Sequence, residues 1–573
     1  MAPRRRVLCD ETQLAELEAQ AKRFLAGGDD GRWPDGWRVV STIPTRIVLR
    51  ALLPGSNGTL PCYVKLRRPV RVFDAIRDRI RAPRGPAEGR VLEALAARGV
   101  DVPRVVAWSG GLTSTNDSSG GVLSGGELSG GVLSGGVLSG GVLSGGVFSG
   151  GVTSATGPVD LLATAEVAGV DLAAFLAGHP SHADRARGAR AVGRLLAAAH
   201  RAGWDDRDVH RGNVLLDGDR AVLLDPGTRP PGKPLSRRAI ERALGRALHG
   251  LSTSPKDAMR ALRAYLGDDA RDLRALAVAA DASARRITRR YRRGRARRAT
   301  RTGRHFATFA AGGVEGVRRL DATGPQTETT LATWLAGPLP EARRALKSDG
   351  LVFVGTGPGL PGDVVVKRFL PKRRDRFRTP RAIRAFRKAY ALRIRGVSCP
   401  RPIAAAATPE GTSLYIAERV LDGEREAADL HRLVERSDYG PSAFAALTPT
   451  ARARALFALG RFVRRLHDAE VSHRDLKAPN IVARRDVGTI AYAIVDLEGA
   501  RVRRREVSWR RRIRDLARLD ASFASTIVSR ADRVRVARGY LAAMRRAPLD
   551  LGTFARRVAE ASRRKRRAQE VRR

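Results

Sequence analysis

The sequence has little cysteine and no long apolar run. Its three cysteines, Cys9, Cys62 and Cys399, are scattered, so they give neither a disulfide framework nor the ligand spacing of a zinc site. This usage favours a reducing compartment. No apolar run approaches the length of a membrane span, and the basic start at Met1 lacks the apolar region of a signal peptide. We therefore expect a cytoplasmic protein, with association at a membrane surface left open.

Lysine is also scarce, although the chain is strongly basic. Lysine and arginine together number 106 against 58 acidic residues, for a formal net charge of +48, and only ten of the 106 are lysine. Such a charge favours an anionic partner, such as nucleic acid, phosphorylated lipid or a membrane surface. The arginine bias is equally typical of a GC-rich genome and a solvated surface. Both interpretations stay open, and nucleic acid is not the partner we expect.

One short stretch, His473-Arg-Asp-Leu-Lys-Ala-Pro-Asn480, has the residue types that phosphoryl transfer requires. Asp475 can orient a hydroxyl nucleophile and accept its proton, while Asn480 and Asp496 can hold metal ions against phosphates. The stretch matches the protein-kinase catalytic loop H-R-D-L-x-x-x-N, and Asp496-Leu-Glu-Gly499 lies where that pattern has D-F-G. Five positions match in order, so a chance surface loop is the weaker interpretation.

The same spacing occurs earlier in the chain. Asp208 and Asn213 are again five residues apart, and a second apolar run ends at Asp225. The pattern predicts two kinase-like units in tandem. Asp206 replaces the histidine found at position 473, so the support of the first loop is expected to differ.

Two lysines stand on predicted strands ahead of these loops. In a kinase such a lysine, here Lys65 or Lys367, reaches inward to the ATP phosphates; an exposed edge-strand lysine is the alternative. Glu88, on the helix that follows, is the expected partner of Lys65, with Glu93 as the alternative. Counting back eleven residues from the glycine after the corresponding helix of the second unit gives Ala385. The pairing glutamate is therefore predicted to be missing there.

The hinges between lobes are expected at two glutamates. Glu166 follows a predicted strand in the first unit, and Glu418 ends one in the second unit. The backbone at these positions would meet adenine. The glycines of 355–359 could close over phosphates, but Pro358 removes a donor, so a plain hairpin turn is favoured.

Composition divides the chain further. A low-complexity insert at 119–153 repeats Ser-Gly-Gly-Val-Leu, and its glycine content favours a flexible loop. The arginine-rich stretch 285–304 predicts either an anion-binding arm or a solvated connecting helix. We expect a helical extension at 1–30, a first kinase-like unit at 31–300, a lead-in at 301–345, a second unit at 346–545 and a basic tail at 546–573.

Over roughly 350–535 the chain resembles the lipopolysaccharide kinase (Kdo/WaaP) family of the protein-kinase-like superfamily, and 39–250 resembles the superfamily more loosely. The residues that carry the resemblance are Val-Lys367-Arg-Phe, Gly396-Val-Ser-Cys-Pro-Arg-Pro402, the His473–Asn480 loop, Asp496-Leu-Glu-Gly499 and Arg514-Asp-Leu-Ala-Arg-Leu519.

The resemblance implies an α+β protein of two tandem bilobal folds, each with a small β-rich lobe and a larger helical lobe. It implies phosphate transfer from ATP to a sugar hydroxyl of the lipopolysaccharide core, with Mg²⁺ or Mn²⁺, in the cytoplasm or at the inner membrane surface. The implied roles are phosphate binding by Lys367 and Lys65, catalysis by Asp475, Lys477 and Asp208, and metal binding by Asn480, Asp496, Asn213 and Asp225. A pseudokinase unit, a protein or small-molecule kinase, and an arginine-rich anion-binding scaffold remain alternatives.

Overall fold

The structure is a computed structural model that describes most of the chain. The described residues are 5–7, 17–19, 37–43, 46–55, 58–67, 84–112, 159–205, 209–251, 254–268, 270–337, 344–346, 351–372, 378–422, 425–435, 447–486, 489–523, 528–542 and 549–571. The predicted insert at 119–153 lies outside them. The chain divides into two compact units, Met1–Thr288 and Arg289–Arg573, and the fold is mixed α/β with several sheets.

In the described part of the first unit, six strands form one antiparallel sheet in the order β1-β5-β6-β4-β3-β2. A second sheet, β7-β8-β9, lies later in the unit. The strands are β1 (Arg5–Val7), β2 (Arg38–Ile43), β3 (Arg46–Gly55), β4 (Gly58–Arg67), β5 (Val105–Leu112), β6 (Val159–Ala165), β7 (Val170–Asp171), β8 (Val214–Asp217) and β9 (Arg220–Leu223).

Alternation along β4 fixes which way Lys65 points. Cys62, Val64 and Leu66 are buried in an apolar cluster, so the intervening side chains lie on the other face of the sheet. Lys65 is paired in register with Leu162 of β6, which packs in the cluster formed with Leu92 of the following helix. The lysine therefore lies on the face that this helix covers.

Two helices of the first unit begin at a serine N-cap. In α3 the Ser181 side chain accepts from the backbone N–H of Asp184, and in α5 Ser254 does the same for Asp257. The helices are α1 (Arg84–Ala96), α2 (Leu172–Ala177), α3 (His182–Arg201), α4 (Arg237–Leu251), α5 (Pro255–Leu266) and α6 (Leu273–Arg298), the last of which contains the division between the units.

In the second unit, seven described strands form an antiparallel sheet in the order β10-β11-β15-β16-β14-β13-β12. They are β10 (Phe306–Ala311), β11 (Val314–Arg319), β12 (Arg344–Ala345), β13 (Val352–Gly355), β14 (Val364–Phe369), β15 (Pro402–Ala407) and β16 (Ser413–Glu418). Three smaller sheets use β17 (Leu421–Asp422), β18 (Arg425–Glu426), β19 (Ala428–Asp429), β20 (Val471–His473), β21 (Ile481–Asp486), β22 (Thr489–Ile494) and β23 (Ala500–Val502).

The segment 301–345, predicted as a lead-in, contributes β10, β11, β12 and a helix to this unit. Gly312 and Gly313 both have positive φ, at 56° and 73°, and form the tight turn that lets β10 pair with β11. The helices are α7 (Thr327–Ala336), α8 (Arg381–Arg393), α9 (Leu430–Glu435), α10 (Pro449–Asp468), α11 (Trp509–Ala521), α12 (Arg530–Leu541) and α13 (Leu551–Glu570). No described helix is long and apolar enough to cross a membrane.

Both units repeat the helix that precedes the loop. Helices α3 and α10 each have 20 residues and a histidine next to last. His200 Nδ1 lies 3.0 Å from the Tyr265 hydroxyl, and His467 Nδ1 lies 2.8 Å from the Tyr540 hydroxyl. Both histidines are buried, so each unit anchors this helix by the same polar contact inside its core.

Candidate functional site

In the first unit the structure brings Lys65 and Glu88 together. Lys65 Nζ lies 2.6 Å from Glu88 Oε1, and Arg67 donates to Glu88 Oε2 at 2.8 Å. The Glu88 side chain is only 1% exposed. One buried carboxylate thus holds two cations, of which the sequence predicted one.

Asp225 lies at the edge of the same cluster. Its Oδ2 is 3.9 Å from Lys65 Nζ and 3.6 Å from a guanidinium nitrogen of Arg46. Burial alone would raise the pKa of Asp225, but the positive charges of Lys65, Arg67 and Arg46 outweigh burial and lower it. Asp225 is therefore held as a carboxylate, the form that a metal ion requires.

The first catalytic loop is described only in part, since the predicted base Asp208 lies outside the described residues. Asn213 ends a short turn of 3₁₀ helix, Arg211–Asn213, and its carbonyl accepts from the Leu224 N–H at 2.9 Å. In the second unit the Asn480 carbonyl accepts from the Val495 N–H at the same 2.9 Å. In both units the carbonyl of the asparagine is therefore hydrogen-bonded to the residue just before the aspartate that follows the strand.

In the second unit Lys367 meets Asp496. Lys367 Nζ lies 2.6 Å from Asp496 Oδ1 and 3.5 Å from Glu498 Oε2. Lys367, Asn480 and Asp496 line one cavity of about 260 Å³, together with Glu418. Asp496 has a positive φ of 51°, a conformation that is uncommon for a residue with a side chain and that gathers at functional sites.

Asp475 is held by the two neighbours that the motif places beside it. The Asn480 amide donates to the Asp475 backbone carbonyl at 2.8 Å and to its Oδ2 at 3.2 Å, and Lys477 Nζ lies 3.1 Å from the same Oδ2. The Asp475 side chain is 53% exposed. It is thus fixed in orientation and open to an incoming hydroxyl group.

His473 supports the loop from beneath and is fully buried. Burial lowers its pKa despite the opposing charge of Asp496, so the ring is neutral and its Nε2–H donates to the Asp496 carbonyl at 3.2 Å. A Cβ on Gly499 would lie 2.6 Å from His473 Cε1, so only glycine fits there. The histidine therefore joins the loop to the Asp496–Gly499 segment.

Asp515 is a supporting residue that sequence reasoning did not assign to the site. It is buried, and its Oδ2 accepts the backbone N–H of His473 at 3.0 Å, while Arg518 pairs with its Oδ1 at 2.8 Å. The only signal was its place in Arg514-Asp-Leu-Ala-Arg-Leu519, which resembles the family but does not reveal this contact. Asp515 fixes the start of the catalytic loop from α11.

The glutamates predicted at the hinges use their side chains elsewhere. Glu166 accepts from Arg50 Nε at 2.9 Å and from its terminal nitrogen at 2.7 Å, which lowers the pKa of Glu166. Glu418 pairs with Arg401 at 3.2 Å. The role predicted for the backbone at these positions is independent of these pairs and stays a prediction.

The oxygen donors of the second cleft suit a magnesium ion. In the described part of the chain no group of three or more histidine, cysteine or acidic side chains could hold a metal. Mg²⁺, however, is commonly bound by one or two protein ligands together with substrate phosphates and waters. Asn480 donates its amide N–H to Asp475, so the amide oxygen and the Asp496 carboxylate are the oxygen atoms through which the predicted metal binding would occur.

Comparison with known proteins gives a match in the second unit. Residues 367–540 match the Lipopolysaccharide kinase (Kdo/WaaP) family, which confirms the resemblance for this segment. The 3-deoxy-D-manno-octulosonic acid kinase of Photobacterium profundum is 36% identical over 91 residues, 16% of this chain and 33% of that protein. The chain thus spans about one third of the length of this curated relative.

A solved structure described as WaaP in complex with acyl carrier protein is also similar. It shares 20% sequence identity with this chain, at a TM-score of 0.28, and the match covers 40% of this chain and 85% of that one.

Proposed function

Since residues 367–540 match the lipopolysaccharide kinase (Kdo/WaaP) family, we propose that the chain is an ATP-dependent phosphotransferase with a hydroxyl acceptor. The second unit carries the principal reaction. One observation supports this most strongly. Lys367 Nζ lies 2.6 Å from Asp496 Oδ1, and Asn480 lines the same cleft while it orients Asp475.

Each side chain has one part of the reaction. Lys367 exchanges part of its contact with Asp496 for the phosphates of ATP. The oxygen of the acceptor hydroxyl bonds to the γ-phosphorus while Asp475 accepts the hydroxyl proton. The bond between the γ-phosphorus and the ADP oxygen breaks in the same step. Lys477 and Asn480 keep the Asp475 carboxylate in place. Asn480 and Asp496 would hold Mg²⁺, which would neutralise part of the phosphate charge.

The proposed acceptor is a sugar of the lipopolysaccharide core or a related glycan. The support is the family match and the curated relative, whose own name gives 3-deoxy-D-manno-octulosonic acid as its substrate. The half-exposed position of Asp475 allows a bulky glycan to approach. We place the enzyme in the cytoplasm, peripheral to the inner membrane surface where such a glycan is lipid-linked.

We also propose that the two compact units are tandem bilobal kinase-like folds. The support is repetition of local geometry: a strand lysine, a 13-residue helix after it, a 20-residue helix with a buried histidine, and the carbonyl contact of Asn213 and of Asn480. Because Asp206 replaces the loop histidine, we assign the first unit to nucleotide binding and regulation rather than to the main transfer.

The test offers γ-labelled ATP and Mg²⁺ to the full chain with three acceptors in parallel: lipopolysaccharide core oligosaccharide, free sugars and basic proteins. The proposal expects label on the glycan, lowered about 10³-fold with Asp475→Asn. Label on protein alone would show that the acceptor is a protein and not a glycan. No transfer to any acceptor, together with no nucleotide-dependent rise in melting temperature, would overturn the kinase assignment.

A further inference from the structure

The two strand lysines are paired with carboxylates from different places. Lys65 pairs closely with Glu88 on α1 and lies 3.9 Å from Asp225, whereas Lys367 pairs with Asp496 and Glu498, both from the segment after β22. Asp496 is a proposed metal ligand, so an ion bound there would compete with Lys367 for its carboxylate. Glu498 is not a proposed ligand and would stay beside Lys367.

The helix of the second unit has no acidic side chain at the matching place. Glu88 is the fifth residue of α1 and Ala385 the fifth of α8; both helices have 13 residues and are followed three positions on by a glycine with positive φ, 73° at Gly99 and 72° at Gly396. Ala385 lines the same cavity as Lys367. The position thus lies at the lysine's cleft but carries only a methyl group.

Helix α8 instead supplies cations that hold Glu498. Arg381 donates to Glu498 Oε1 from Nε at 2.9 Å and from a terminal nitrogen at 2.6 Å. Lys388, two turns further along, donates to the backbone carbonyls of Leu497 at 3.2 Å and Glu498 at 3.0 Å. Helix α8 thus fixes both the side chain and the backbone of Glu498.

The ring of one phenylalanine contacts both cations that face the Glu498 carboxylate. The Phe369 ring lies 5.1 Å from Lys367 Nζ and 4.7 Å from the Arg381 guanidinium carbon, both within the range of a cation–π contact. Two like charges over one ring repel each other, and an anion between them offsets that repulsion. Glu498 is that anion, since one oxygen faces Arg381 and the other faces Lys367.

We propose that Glu498 is the positioning residue for Lys367 and replaces the helix glutamate that the second unit lacks. In the first unit the helix supplies the carboxylate, Glu88. In the second unit the helix supplies a cation, Arg381, and the carboxylate comes from the segment that follows Asp496. The role rests on the proposed function, in which Lys367 binds the phosphates of ATP.

The test measures MgATP affinity and the KM for ATP in the full chain carrying Lys65→Ala, so that only the second cleft is read. Glu498→Gln and Glu498→Ala are each expected to weaken binding and raise KM about tenfold, as for loss of one charged hydrogen-bond partner. Glu410→Ala, on an exposed turn of the same sheet, is the matched control and should leave both values unchanged.

A second-site variant separates positioning from general damage. Placing a carboxylate on the helix, Glu498→Ala with Ala385→Glu, is expected to restore at least half of the lost affinity without raising the melting temperature. Unchanged affinity in Glu498→Ala, or no restoration by Ala385→Glu in a folded chain, would overturn the inference alone. Failure of the Lys65→Ala chain with native Glu498 to bind nucleotide would overturn the proposed function, and this inference with it.

Discussion

The two units share their supporting contacts and differ at the lysine. In both, a buried histidine anchors the helix before the loop to a tyrosine, at 3.0 Å in the first unit and 2.8 Å in the second. The lysine environments are unlike each other: Glu88 is 1% exposed, whereas Glu498 is 39% exposed. The two units thus share the contact that anchors the helix before each loop, while the ion pairs around their strand lysines differ.

The largest expected difference between the units is catalytic. Asp475→Asn removes the proton acceptor but keeps the shape, and should lower phosphoryl transfer by about 10³-fold, the range of general-base catalysis. The matched change Asp208→Asn should lower it less than about threefold if the second unit carries the reaction. Transfer rates with γ-labelled ATP, measured alongside melting temperatures, check both. Equal losses from the two variants would remove the distinction between the units.

Stability should separate the two glutamates. Glu88→Gln leaves Lys65 and Arg67 beside an uncharged group in a buried site, which should cost about 3 kcal/mol of unfolding free energy. Glu498→Gln, at an exposed pair, should cost less than about 1 kcal/mol. Urea unfolding of each variant in the full chain measures the difference. A larger loss for Glu498→Gln would contradict the description of the first pair as buried and the second as solvated.

The support of the second loop should be the next largest effect. The Asp515 carboxylate faces Arg518 and accepts the His473 N–H. Asp515→Asn removes its charge, which should lower the free energy of unfolding by about 2 kcal/mol. Asp468→Asn, whose side chain is 44% exposed in pairs with Arg464 and Arg512, is the control and should cost under about 1 kcal/mol. Equal shifts in unfolding free energy would argue against a special role for Asp515.

The smallest effect concerns acid stability. Burial lowers the pKa of His200 to about 4, so the imidazole stays neutral in the folded chain but is protonated below about pH 6.5 in the unfolded chain. The contribution of His200 to the free energy of unfolding is therefore full above about pH 6.5 and falls as the pH drops toward 4. The expected loss between about pH 7 and pH 5.5 is about 1 kcal/mol. His200→Gln should flatten this part of the curve. Part of the dependence of unfolding free energy on pH should remain in this variant, because burial also lowers the pKa of His467. An unchanged dependence in His200→Gln would show that His200 does not contribute to it.

Residues in fixed local spacing could be predicted from the sequence. Lys65 and Glu88 were found by their separation along the chain, and the missing glutamate at Ala385 by its distance from a helix-ending glycine. Glu498 and Arg381 could not be paired in this way, because they are 117 residues apart and meet only after α8 packs in the second unit. Asp515 was missed for the same reason, since its partner is a backbone N–H 42 residues away.

The boundary of the second unit shows the same limit at the level of the fold. The strands Phe306–Ala311 and Val314–Arg319 are short, and their place in the sheet depends on pairing of β11 with β15, about 90 residues further along. Composition alone therefore could not place these two strands in the sheet.

The most direct test is an experimental structure of the full chain with Mg²⁺ and a non-hydrolysable ATP analogue. It should place the phosphates against Lys367, with the metal ion between the Asn480 oxygen and Asp496, and the Glu498 carboxylate still on Lys367 and Arg381. Nucleotide bound away from Lys367, or a second cleft that stays empty at saturating nucleotide, would contradict the account.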